Sequence, residues 1–377
     1  MSARPHPFNS HANDLVRDFI LDRLGDIASQ HPHVTVDYDV VSNASWATGL
    51  FTAQPRGVYQ EGNNILVKVQ GTDPAYRESG GYLLSAHYDS VSTAPGTTDD
   101  GMGIVTLLQM VEHFANHVPT RTVIFNFNNN EESGLNGAHT YVPGYYDPRD
   151  GIYILYKGSY STRGPALVMF SSISKGLLQE GGTCRCSDVV DSPLILSCSR
   201  PVMFRATNIA PLYSWTGSHV PHPHASVLFA DAFSRHAIRS ATDYSVYEKA
   251  GLDGLDFAFY KGRSRYHTRY DSISGMQGSK KALWAMMEAT RGASLALAND
   301  DKVHAKPLPR QERPVYFERE RSLVLFMHRG LIFLVSIWCR FDSLFAGNVV
   351  HHERGSPFHW SHLSPAPHVF ETYCPRE

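Results

Sequence analysis

The chain has 377 residues, of which 42% are hydrophobic and 19% charged; this ordinary globular balance excludes wholesale disorder and suits one large α/β domain, with or without a smaller appendage. A formal net charge of −2 gives no electrostatic ground for a nucleic-acid or anionic-membrane partner. Five cysteines, three clustered at Cys184, Cys186 and Cys198 and two distant at Cys339 and Cys374, do not form a disulfide framework. With one residue between Cys184 and Cys186, the cluster does not match a zinc knuckle either.

The first stretch, MSARPHPFNSHANDLV, lacks the apolar core of a signal peptide. From about residue 13 to 29, Leu15, Val16, Phe19, Ile20, Leu24 and Ile27 recur at helical spacing and predict an amphipathic helix. Val34, Val36, Tyr38 and Val40 then alternate as in a strand. Asn43 to Ser45 form an N-glycosylation sequon, which would make a glycoprotein of a chain entering the secretory route. NNILVKVQG at 63–71 and GYLLSAHYDS at 81–90 predict two more strands, whose near-continuous apolar character suits the centre of a sheet covered on both faces.

Residues 103–118 place Ile104, Leu107, Leu108, Val111 and Phe114 on one helical face, and the strand RTVIFNF at 121–127 follows directly. Strand, helix and strand in this order predict a βαβ unit, and in open α/β sheets chemistry gathers at the carboxyl ends of the strands. From 142 to 222 many breakers and no clear period predict irregular or inserted chain. Order is expected again from Ala225, through a strand, helical turns and a second strand leading to His267, and a helix over 279–298 closes the domain. The expected division is a domain over 1–305 and a tail over 306–377. The tail holds the apolar stretch SLVLFMHRGLIFLVSIWCRF at 322–341, whose longest uncharged run, Gly330 to Cys339, is ten residues. A spanning helix needs about 20, so half a membrane span, a packed helix and an interfacial, membrane-associated segment all remain open.

Three chemical clusters follow strand ends within 46 residues: HYDS at 87–90, TTDDG at 97–101 and the adjacent Glu131 and Glu132 of NNNEESG. Adjacent Glu131 and Glu132, if both ionised and partly buried, repel one another and call for a positive group. Imidazole nitrogen and carboxylate oxygen suit Zn²⁺, and a bridging carboxylate holds two such ions. Of two glutamates pointing in different directions, one is then able to ligate while the other acts as general base. The asparagine run supplies turn chemistry. A lone acidic pair would instead read as a solvated turn.

SAHYDSVSTAPGTTDDGMGIVTLLQMVEHF, NNNEESGLNGAHTYV and YHTRYDS together resemble the co-catalytic di-zinc aminopeptidases, and within them the fungal vacuolar membrane proteases. The likeness covers roughly residues 5–141 and 222–300. It implies a three-layer α/β/α fold with a mixed, mainly parallel central sheet, two Zn²⁺ ions, peptide substrates and a vacuolar membrane location. It further implies that His87 holds one ion, Asp99 bridges, Glu132 and His267 hold the other, and Glu131 is the base. Asp89 would orient the His87 imidazole and Asp100 would fix the Asp99 loop, while Asp271 divides evenly between a helix-capping and an active-site role. The family supplies one more carboxylate alongside His87, in a segment where this chain reads LYKGSYSTRG, with Gly158 near the expected acid and Asp147 and Asp150 nearby. Residues 176–221 look like additional sequence relative to the family. A zinc metallo-exopeptidase is the leading expectation; a catalytically impaired peptidase-like scaffold lacking one ligand comes second and a single-zinc glutaminyl cyclase last.

Overall fold

The structure, a computed structural model, describes residues 1–48, 56–74, 81–145, 166–169, 200–235, 237–238, 240–259, 263–276, 278–300, 314–319 and 322–326. Helix α1 (His11–Gln30) begins at Ser10, whose Oγ accepts the Asn13 N–H at 3.1 Å and so satisfies a donor the first turn leaves free. Val16, Ile20 and Leu24 are buried, whereas Leu15 and Phe19 are 47% and 46% exposed. The apolar stripe is therefore narrower than the sequence suggests, because residues one position off the i, i+4 row lie about 100° around the helix.

Strands β1 (Val34–Tyr38), β2 (Asn43–Thr48), β3 (Arg56–Glu61), β4 (Ile65–Val69), β5 (Gly81–His87), β6 (Thr122–Asn128), β7 (Ala166–Met169), β8 (Pro201–Ala206) and β9 (Gly254–Phe259) follow in chain order. Seven of them form one sheet in the order β1-β4-β6-β5-β7-β9-β8, while β2 and β3 pair separately as an antiparallel ribbon. The mixed sheet is parallel across β6, β5, β7 and β9 and antiparallel towards both edges. Helix α2 (Met102–Asn116) crosses from β5 to its parallel neighbour β6. Next come α3 (Asn136–Tyr145), α4 (Ile209–Tyr213), α5 (Val227–Ser234), α6 (Asp243–Ala250) and α7 (Ser279–Asn299).

Strand alternation divides the core into two. Tyr82, Leu84 and Ala86 of β5 and Val123, Phe125 and Phe127 of β6 pack with residues of α1, α2 and α7. Leu83 and Ile124 point the other way, into a cluster with Leu135, Ala138 and Tyr141 of the α3 region and Tyr244, Val246 and Tyr247 of α6. This is the three-layer α/β/α arrangement expected. Each large side chain so buried contributes about 1.5–3 kcal/mol. Arg121, buried just before β6, donates to Leu297 O at 3.1 Å and anchors the end of α7 beside the sheet.

Within 142–222, β7, β8 and α4 are regular, and β8 pairs along β9, so among the described residues regular structure is present ahead of Ala225. The three clustered cysteines, Asp147, Asp150 and Gly158 lie outside the described residues. In the tail, β10 (Val315–Arg319) and β11 (Ser322–Phe326) form a hairpin. It docks through buried Tyr316, whose hydroxyl donates to Phe204 O at 2.8 Å, and through Arg200, which donates to Glu318 at 3.1 Å. The apolar stretch thus opens as a strand, and residues 327–341 lie outside the described residues. Among the described residues no helix is long and apolar enough to cross a membrane.

Candidate metal centre

Strands β5 and β6 run parallel in a register that sets His87 opposite Asn128. The side chains following both ends therefore meet in one place. His87 is 1% exposed, and its Nε2 lies 3.2 Å from Asp99 Oδ1 and 3.9 Å from Glu131 Oε2. Asp99 sits in the tight turn Thr97–Gly101 that leads into α2. Its other oxygen, Oδ2, is 3.1 Å from His267 Nε2, which stands 2.9 Å from Glu132 Oε2. Ligand atoms of His87, Asp99 and Glu132 all lie within 4.8 Å of one another. The structure thus brings together the five residues singled out in sequence, with Asp99 between the two imidazoles.

Asp89 and Asp100 take supporting places. Asp89 Oδ1 is 3.4 Å from His87 Nδ1 and accepts the backbone N–H of Glu131 at 3.0 Å, while Oδ2 accepts that of Glu132 at 3.2 Å. Asp100 Oδ2 accepts the His87 N–H at 3.3 Å and Oδ1 the Gly103 N–H at 3.1 Å, tying β5 to the start of α2. His267 has φ +55°, a left-handed conformation that His tolerates better than most residues, and its ring stacks on Tyr266 with centroids 3.6 Å apart.

Packed this closely, the imidazoles and carboxyls shift one another's proton affinities. Burial pushes the Glu131 carboxyl well above the usual carboxylate range, with Asp243, Glu132 and Asp99 adding to it and His87 opposing. Burial, then Asp99, raises Glu132 to about 7. Burial alone would lower His87, but Glu131, Asp89 and Asp99 hold its imidazole well above its ordinary value. His267 is raised to about 9, because Asp99 and Glu132 outweigh its burial. Asp99 is held low by His267 and His87 against its own burial. Meanwhile Asp99 Oδ2, Glu132 Oε1 and His267 Nε2 are buried without an aligned hydrogen-bond partner among the described residues. Converging nitrogen and oxygen atoms that face one another without hydrogen-bond geometry are what a cation between them satisfies, and this donor set fits Zn²⁺.

Two supports were only partly legible in sequence. The asparagines do more than turn the chain. Asn130 is left-handed at φ +67°, but Asn129 and Asn13 of α1 exchange side-chain bonds at 2.9 and 3.1 Å, Asn64 Oδ1 accepts the Asn129 N–H at 3.2 Å, and Asn130 donates to Gln60 at 2.9 Å. Asp271 caps no helix. Its Oδ1 accepts the Thr98 N–H at 2.8 Å and hydroxyl at 2.7 Å, and its Oδ2 the Asp99 N–H at 3.2 Å, so it fastens the Asp99 turn to the His267 loop. The spacing of four between His267 and Asp271 was the available signal.

Residues 64–170 and 191–293 match the profile of Peptidase family M28. The chain is 44% identical over 346 residues to a vacuolar membrane protease of Schizophyllum commune, covering 92% of this chain and 33% of that one. It is 35% identical over 319 residues to a vacuolar membrane protease of Vanderwaltozyma polyspora, covering 83% and 30%. The chain thus spans about a third of the length of the curated relatives it matches. Among solved structures it shares its fold with an aminopeptidase from Aneurinibacillus sp. strain AM-1, at TM-score 0.53 and 11% identity over 82% of this chain and 94% of that one. A zinc aminopeptidase from Bacillus subtilis gives TM-score 0.50 and 12% identity over 79% and 92%. Profile, identity and fold agree with the motifs at 87–100, 131–132 and 267: the chain belongs to Peptidase family M28.

Proposed function

We propose that the chain is the peptidase domain of a zinc metallo-exopeptidase of aminopeptidase type, with peptide substrates. The observation that supports this most is the position of Asp99, one carboxylate oxygen towards His87 and the other towards His267 and Glu132. In this reading His87 and Asp99 would hold one ion, and Asp99, Glu132 and His267 would hold a second. When bound, they supply Lewis-acid polarisation of the scissile carbonyl and make water acidic enough to be deprotonated near neutral pH.

The chain's own groups do the rest. Glu131, partly buried and fixed through its backbone by Asp89, accepts the proton of the attacking water. A carboxyl whose affinity for protons is raised by burial is a stronger base than a solvated one, and returns the proton to the leaving amine. Asp89 keeps His87 and both glutamates in one geometry. Asp271 and Asp100 hold the turn that presents Asp99. The relatives' name extends the proposal to a vacuolar membrane location, and exposed Asn43 is the candidate glycosylated residue.

The test is hydrolysis of aminoacyl substrates and short peptides by the purified, zinc-supplied chain. Activity that disappears in Glu131→Ala and on chelation is expected. Absence of any Glu131-dependent hydrolysis across such substrates overturns the proposal.

A further inference from the structure

Helix α6 covers the sheet face that carries Ser85 and His87 of β5 and Asn126 and Asn128 of β6. Its contacts climb the strands towards the metal centre. The Tyr247 hydroxyl meets Ser85 Oγ at 3.0 Å and accepts from Asn126 Nδ2 at 3.0 Å. One helical turn earlier, Asp243 Oδ2 accepts from Asn128 Nδ2, which also donates to Ser85 Oγ at 3.2 Å. Asn128 is the register partner of His87. The Asp243 carboxylate is thereby placed at the level of His87, on the same face of the sheet.

Asp243 is 0% exposed, and its Oδ1 has no hydrogen-bond partner among the described residues; nor does the neighbouring Asn128 Oδ1. No Lys or Arg among the described residues pairs with it. A buried carboxylate oxygen left this way is relieved either by a proton, burial raising Asp243 to about 7, or by a cation that meets it. The described donors on the His87 side of Asp99 number two, His87 and Asp99, one short of the three protein ligands usual at a catalytic zinc.

We propose that Asp243 supplies, through Oδ1, the carboxylate ligand that completes the His87 side of the metal centre. This rests on the zinc reading above. Asp243 lies in an element remote in sequence from the segment where the family resemblance looks for that acid.

The experiment is zinc content per chain by elemental analysis after gel filtration, together with the visible spectrum of the Co²⁺-substituted protein, for the wild type, Asp243→Asn, Asp243→Glu and Glu132→Ala. Near-ultraviolet circular dichroism of the metal-free proteins establishes folding. The expected result is two ions in the wild type and one in Asp243→Asn, with an affinity loss at the vacated position beyond the ~10–100-fold typical of a residue that only supports a ligand. Asp243→Glu keeps a carboxylate and is expected to keep both ions with shifted Co²⁺ bands. A folded Asp243→Asn that retains the wild-type count and affinity overturns the Asp243 assignment while leaving the zinc reading intact, and so does an Asp243→Glu spectrum identical to wild type. A wild type that holds no zinc overturns both.

Discussion

The carboxylate of Asp89 accepts the backbone N–H of Glu131 at 3.0 Å while standing 3.4 Å from the imidazole of His87. One buried group therefore couples the ends of two parallel strands, aligning a histidine on β5 with the glutamate pair after β6. Asp89→Ala removes the carboxylate beside the imidazole and leaves two backbone donors without their acceptor, while the 3.0 Å contact of His87 Nδ1 with the Asp89 backbone carbonyl is kept. The expected result is zinc affinity lowered about 10–100-fold with retained secondary structure, measured by competition with a chromophoric chelator. Unchanged affinity would deny Asp89 that role.

Glu131→Gln keeps the size of the side chain and removes its basicity. Turnover on aminoacyl substrates is expected to fall by about 10²–10⁴ with zinc content unaltered. A parallel loss of zinc would recast Glu131 as a ligand. Glu132→Gln is the contrasting variant, because Glu132 faces His267 at 2.9 Å, and its expected effect is on metal content first.

Asp271 accepts three hydrogen bonds from the Asp99 turn, and charged acceptors of this kind contribute about 1.5–3 kcal/mol each. Asp271→Ala leaves those donors without a partner next to the centre. Chemical unfolding of the metal-free protein is expected to show a loss of at least about 2 kcal/mol, with weakened zinc binding. Near-wild-type stability would show that water replaces the carboxylate.

The ribbon of β2 and β3 meets α3 where Trp46 stacks on His139 with ring centroids 4.1 Å apart. Burial, with Lys249 second, lowers His139 to about 4 from 6.5. Between these values the unfolded chain binds more protons at this site than the folded one, so stability is present above about 6.5 and declines as pH falls towards 4. His139→Phe keeps the stack and removes the proton, so its thermal midpoint is expected to decline less between pH 7 and pH 4.5 than that of the wild type. Equal declines would remove His139 from the pH response.

What sequence made legible was what local pattern encodes. Alternation and the helical row through Ile104, Leu107, Leu108 and Val111 located β5, α2 and β6, and strand-end position drew attention to His87, Asp99 and Glu131. The ligand-type residues are polar groups set directly against apolar runs, a contrast visible in a few residues. Asp243 and Asp271 carry no such contrast, because each acts across more than a hundred residues, on Asn128 and on Thr98 respectively. Strand β8 was hidden for a related reason: PVMFRA follows a breaker-rich stretch, and its place depends on pairing with β9 and on Arg205 reaching Asp256 at 2.7 Å. Leu15 and Phe19 show the reverse failure, since helical spacing alone does not decide which neighbouring row meets the sheet.

Crystals of the zinc-supplied protein, measured above and below the zinc absorption edge, show whether Asp99 bridges two ions, as proposed. Two anomalous peaks about 3.5–4 Å apart, one on each side of the Asp99 carboxylate, are expected. A map with no peak touching Asp99, or with a single peak on one of its oxygens, would contradict the proposed bridge.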